Sequence, residues 1–151
     1  VSITRPLLSE PEARARTAKA LIAGAVALAA WAIYLGASLP PGPHHSWSST
    51  WTGLDNLALT WAGLDGIECI ALTTLGVAML LDRPLLASVT GLLALPVFAL
   101  DAWFDVMTSL TRGELDAALA MAALAEIPLA LLLALIARHE MARAVSALSP
   151  T

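Results

Sequence analysis

Charge is what this chain has least of. Only 13% of its 151 residues are Asp, Glu, Lys or Arg, against about a quarter in a soluble domain. With 58% hydrophobic residues and a mean hydropathy of +0.77, that shortage excludes an ordinary water-soluble globule. Cysteine is almost missing. The single Cys69 excludes an internal disulfide and any CxxC metal or redox motif, and in its apolar setting it reads as a small packing residue. Lysine and arginine are absent from long stretches, with none between Lys19 and Arg83 or between Arg112 and Arg138. No nucleic-acid partner is expected. No cleavable signal peptide is expected either: Gly36, Ala37 and Ser38 imitate a cleavage site, but the apolar run before them is too long for a signal core.

What the chain does have is apolar length. A helix needs about 20 apolar residues to cross a bilayer, and four regions qualify, at about 20–39, 57–81, 85–109 and 117–137. The expected fold is all-α, an integral membrane bundle of four transmembrane helices. Residues 1–19 read as a cytoplasmic N-terminal segment, 20–138 as the four-helix membrane domain and 139–151 as a cytoplasmic tail. In the first span the small residues Ala23, Gly24, Ala27 and Ala30 suit close helix packing. The loop "PPGPHHSWSSTWTGLD" leads into the second span, and Asp82-Arg83-Pro84 makes a tight connection between the second and third.

Basic residues in short flanks set orientation. Arg5, Arg14, Arg16, Lys19, Arg83, Arg138 and Arg143 fall on one side and only Arg112 on the other, so both termini are expected in the cytoplasm. The expected location is the inner (plasma) membrane, crossed several times. Tyr34, Trp47, Trp51 and Trp103 then lie near the outer headgroups, where amphipathic aromatics concentrate.

Five acids interrupt the apolar runs. Counting inward from the outer boundary at about 1.5 Å per residue, Asp65 lies roughly 12 Å deep, Glu68 roughly 16 Å and Asp101 roughly 12 Å. Asp105 lies roughly 6 Å deep and Glu126 roughly 13 Å. Three helices thus bring carboxylates to a similar depth. Asp65 and Glu68 share a helical face, as do Asp101 and Asp105. An aspartate at a helix centre costs about 2.5–3.5 kcal/mol to insert, and no span contains a lysine or arginine to answer it. The acids must therefore face inward and be protonated, wetted from outside or neutralised by a bound cation. Plainer roles exist for two of them. Asp105 is shallow enough to be wet, and a protonated Glu126 could act as glue between helices.

An all-oxygen ligand set suits Ca²⁺, Mg²⁺ or Mn²⁺. Imidazole from His44 or His45, in the outer loop, would shift the preference toward Zn²⁺ or Fe²⁺; otherwise these two are solvated loop histidines. The candidate metal ligands are therefore Asp65, Glu68, Asp101, Asp105, Glu126, His44 and His45. His139 reads as an end-of-helix residue on the other side. Carboxylate-bridged di-iron bundles need Glu-x-x-His pairs, and no span contains one. Membrane hydrolases of the alkaline-ceramidase type use three histidines, and only two lie on the right side here. The expected partners are membrane lipids and a metal ion or protons, with a homo-oligomer where four spans are too few to enclose a path.

The segments "WAGLDGIE", "DAWFDV" and "EIPLALLL…AR" resemble a group of small four-helix membrane proteins common in actinobacterial genomes. The resemblance covers the last three spans, with "DAWFDV" its most specific part. It implies the four-span topology and one motif set of Asp65, Asp101, Asp105 and Glu126; it implies no activity. Three classes of function fit the residues: ion or metal handling, a membrane-embedded metal-dependent enzyme acting on a lipid or amphiphile, and a structural or accessory subunit.

Overall fold

The computed structural model describes residues 10–38 and 56–148, together with Leu8 and Thr52. These form four long helices, α1 (Pro11–Ser38), α2 (Asn56–Leu80), α3 (Pro84–Thr108) and α4 (Arg112–Leu148), and no strand occurs among the described residues. Each helix is long and apolar enough to cross a membrane. Helices adjacent in sequence pack together, α1 on α2, α2 on α3 and α3 on α4.

The distribution of polarity is inverted relative to a soluble bundle. Large apolar side chains stand exposed on every helix, among them Val26 and Ile33, Ile67 and Ile70, Leu92 and Leu93, and Leu124 and Leu131. The buried set contains Asp65, Glu68, Ser88, Asp101, Glu126 and Glu140. An exterior this apolar would aggregate in water and is at home in hydrocarbon.

Two glycines set the close approaches. A Cβ on Gly76 would lie 2.7 Å from Cγ1 of Ile22 and 2.8 Å from the Ala18 carbonyl oxygen, so α1 seats directly on the α2 backbone. A Cβ on Gly91 would lie 3.0 Å from Cβ of Ala137 and 3.3 Å from the Leu133 carbonyl oxygen, and nearby the Ser88 hydroxyl donates to the Ala137 carbonyl at 2.8 Å. The face of α1 that packs is Ala18, Leu21, Ala25 and Ala32, with the Cys69 thiol donating to the Ala25 carbonyl. The small residues Ala23, Gly24, Ala27 and Ala30 instead face outward, and open space surrounds Gly24. Small size suited them to a contact, but the close approach is made by the glycine of the opposing helix.

The α2–α3 turn is closed by three backbone bonds, Leu81 N–H to Val77, Asp82 N–H to Met79 and Arg83 N–H to Ala78. That pattern requires a left-handed residue just past the helix end, and Asp82 fills it with φ of 53°. Pro84 then opens α3, where its missing N–H costs nothing. A capping box starts α4: the Thr111 hydroxyl accepts from Glu114 N–H while the Glu114 carboxylate accepts from the N–H groups of Leu110 and Thr111.

α4 departs from regularity once. Residues Ala122–Glu126 form a π turn in which Ile127 N–H donates to the Ala122 carbonyl, five residues back. Pro128 explains the position, because its ring cannot donate to the Leu124 carbonyl and would collide with it in an α-helix. The same helix does not break after Arg138 into a polar tail; it continues through Leu148, with His139 inside it.

Candidate functional site

The five intramembrane-type acids meet on the helices that the sequence assigns to them. Asp65 and Glu68 project from α2, Asp101 and Asp105 from α3, and Glu126 from the last residue of the π turn in α4. The i, i+3 and i, i+4 spacings put each pair on one helical face, and packing of α3 between α2 and α4 brings those faces together. Two triads result. Asp65, Glu68 and Asp101 each present an oxygen within 4.8 Å of the others, and so do Asp101, Asp105 and Glu126. All are buried except Asp105, which is half-buried. The Asp105 and Glu126 carboxyls also lie at hydrogen-bonding range of each other.

Satisfaction of these groups is incomplete. One oxygen each of Asp65 (Oδ2), Glu68 (Oε1), Asp101 (Oδ1) and Glu126 (Oε2) is buried without a hydrogen-bond partner among the described residues. The ion pairs among the described residues involve Arg14 and Arg143 with Asp82 and Glu140, and none reaches the five acids. Two unit charges 4.8 Å apart repel by about 3.5 kcal/mol even at an effective dielectric of 20. Such an arrangement persists only where the charges are answered by protons, by water or by a cation.

Below the acids the interior turns apolar. Leu75, Met79, Leu133 and Ile136 are the largest wholly buried hydrophobic side chains, and along α2 and α4 they separate the acids from a second polar layer. There Glu140, fully buried, accepts from Nε and Nη2 of Arg14 at 2.8 and 3.1 Å and from Nη1 of Arg143 at 2.8 Å. Asp82, on the turn, accepts from the same two arginines at 3.1 and 2.7 Å. The guanidinium of Arg143, and after it that of Arg14, holds the Asp82 carboxyl below the usual aspartate range. This layer ties α1, the α2–α3 turn and α4 together. Sequence reading did not find it, because the one signal for it, a charged "RHEMAR" following an apolar run, equally describes a solvated tail.

Beside the acids, α3 and α4 flank a half-open apolar groove of about 200 Å³ lined by Leu95, Phe98 and Ala99 on one side and Ile127, Ala130 and Leu131 on the other, with Glu126 in its wall. Trp103 is exposed and meets Phe104 edge-on, and Trp31 and Tyr34 form an exposed aromatic pair on α1. His44 and His45, the candidate imidazole ligands, and Trp47 and Trp51 lie outside the described residues. Compared with known proteins, the chain matches no family model, no curated protein and no solved structure.

Proposed function

We propose that this is a multi-pass membrane protein that handles a cation at an acidic site in the outer half of its bundle, as a carrier, channel component or binding protein. The observation that carries this reading is the set of four buried carboxylate oxygens, on three helices, without a hydrogen-bond partner among the described residues. A proton neutralises one carboxylate and adds a donor that needs its own acceptor. A divalent ion neutralises two and draws several oxygens at once. An all-oxygen set of this kind suits a hard divalent ion such as Ca²⁺, Mg²⁺ or Mn²⁺.

The seven-to-one distribution of basic residues orients the bundle with both termini in the cytoplasm. The acids then open outward, and Tyr34 and Trp103 lie near the outer headgroup level. The apolar layer of Leu75, Met79, Leu133 and Ile136 closes the site from the cytoplasm, so access is from one side. Elemental analysis of purified protein, beside Asp101→Asn and Glu126→Gln, tests the site. Bound divalent metal in the wild type and less of it in both variants are expected, and equal metal content in all three would sink the reading. A reporter fused after Thr151 should be inaccessible from outside intact cells; labelling there would reverse the orientation.

A second reading is favoured by the half-open apolar groove beside Glu126: a metal-dependent enzyme that holds the acyl portion of an amphiphile there. Mass spectrometry of a phospholipid mixture incubated with Mn²⁺-loaded protein separates the two. New lipid products that vanish in Glu126→Gln favour the enzyme, whereas unchanged lipids leave ion handling.

A further inference from the structure

We infer that the five acids build two adjoining cation sites that share Asp101 as a bridging ligand, so that each chain takes up two divalent ions. This deepens the cation reading above and rests on it. Asp101 is the one residue common to both triads, Asp65–Glu68–Asp101 and Asp101–Asp105–Glu126. Two oxygens on opposite sides of an ion, each at about 2.4 Å, lie about 4.8 Å apart. The oxygens of each triad lie within 4.8 Å of one another, close enough for one ion to reach all three. A carboxylate has two oxygens and can turn one to each ion, and Asp101 sits on α3, which packs between α2 and α4.

Two further observations point the same way. Partnerless buried oxygens occur on both sides of Asp101, at Asp65 and Glu68 in the first triad and at Glu126 in the second, with Asp101 Oδ1 between them. No one group of oxygens within that limit takes in all four residues, so one ion would leave part of the set without a cation. The charge balance agrees: no Lys or Arg side chain pairs with these acids among the described residues. One divalent ion offsets two of the five carboxylate charges, and two ions offset four. Paired sites bridged in this way hold their ions about 3.5–4 Å apart.

The test uses the full chain in detergent, stripped with EDTA and titrated with Mn²⁺ while electron paramagnetic resonance is recorded. The expected result is two Mn²⁺ per chain, with the spectrum of isolated Mn²⁺ giving way to an exchange-coupled one as the second ion enters. Glu68→Gln and Glu126→Gln should each hold one ion and show only the isolated spectrum. Asp101→Asn should lose the coupling altogether. Should a variant fail to fold, wild-type stoichiometry and coupling decide alone. One ion per chain, or two without coupling, overturns the shared site while leaving a cation site standing. No bound Mn²⁺ overturns both.

Discussion

Glu68 and Glu140 are buried to the same degree, 1% and 0% exposed, at opposite ends of the same bundle, and their surroundings could hardly differ more. Glu140 receives three hydrogen bonds from two arginines, so its charge is answered by fixed side chains. Glu68 has a buried oxygen without a partner among the described residues, and its near neighbours in the cluster are other acids. Burial of a charge costs free energy unless it is paired. The arginines at one end show that this chain can supply partners where it needs only cohesion. At the other end no arginine or lysine among the described residues pairs with the acids, and the proposed cation would take that place. The Glu140 layer is a staple, and the Glu68 layer is the proposed receptor.

The largest expected effect comes from breaking the staple. Glu140→Gln removes one partner of a buried pair and leaves Arg14, only 12% exposed, short of a counter-charge. Loss of such a partner costs about 3–5 kcal/mol. The low end is expected here, because Asp82 still accepts from both arginines. Thermal unfolding in detergent should show the loss whether or not metal is present. A variant as stable as wild type would remove the distinction between the two glutamates.

The same substitution at the other end should behave oppositely. In EDTA, Glu68→Gln removes a repelling charge and should leave the unfolding temperature unchanged or raise it. In Mn²⁺ at a hundredfold excess over the dissociation constant, a bound ion stabilises by about 2.7 kcal/mol, and Glu68→Gln should lack part of that gain. A drop in EDTA as large as that of Glu140→Gln would make Glu68 a packing residue. Such an outcome would favour the helix-glue role for the acids.

The smallest effect belongs to Asp82, which is largely exposed. Its carboxyl is held below its usual value of 3.8 by Arg143 and then Arg14. A lowered folded-state value means that its contribution is present above about pH 3.8 and is lost as pH falls through the lower, folded value. Asp82→Asn should lower stability slightly near neutrality and leave it unchanged well below the folded value, which flattens the acid limb of the stability curve by that small amount. An unchanged acid limb would show that Glu140 alone holds the layer together.

The sequence made the four helices legible because length and hydropathy suffice to find a span, and the Asp82-Arg83-Pro84 turn because proline and a left-handed cap leave local signatures. The gathering of the acids was legible for a different reason: depth counted from a common boundary places residues of separate helices at one level. What stayed hidden was anything decided between distant segments. Glu140 finds Arg14 across 126 positions, and nothing local to either announces the other. The packing face of α1 was hidden because lipid-facing and helix-facing residues are equally apolar there, so no hydrophobic period distinguishes Ala25 from Ala23. The π turn had a signal in Pro128, but a proline says only that regular bonding fails, not how the helix absorbs the failure.

That π turn gives α4 two independent phases. An α-helix advances 100° per residue, and a π turn inserts roughly one extra residue into that count. The half fixed by Gly91, Ala137 and the Glu140 layer therefore need not agree in rotation with the half that starts at the Thr111 capping box. Glu126, at the seam, takes its direction from the mismatch. A regular helix through Ala122–Glu126 would swing one half by about 100° against the other, and either the acid or the seat on α3 would turn away. The irregular turn acts as a phase adjuster that lets one helix serve a rigid staple and an aimed carboxylate together.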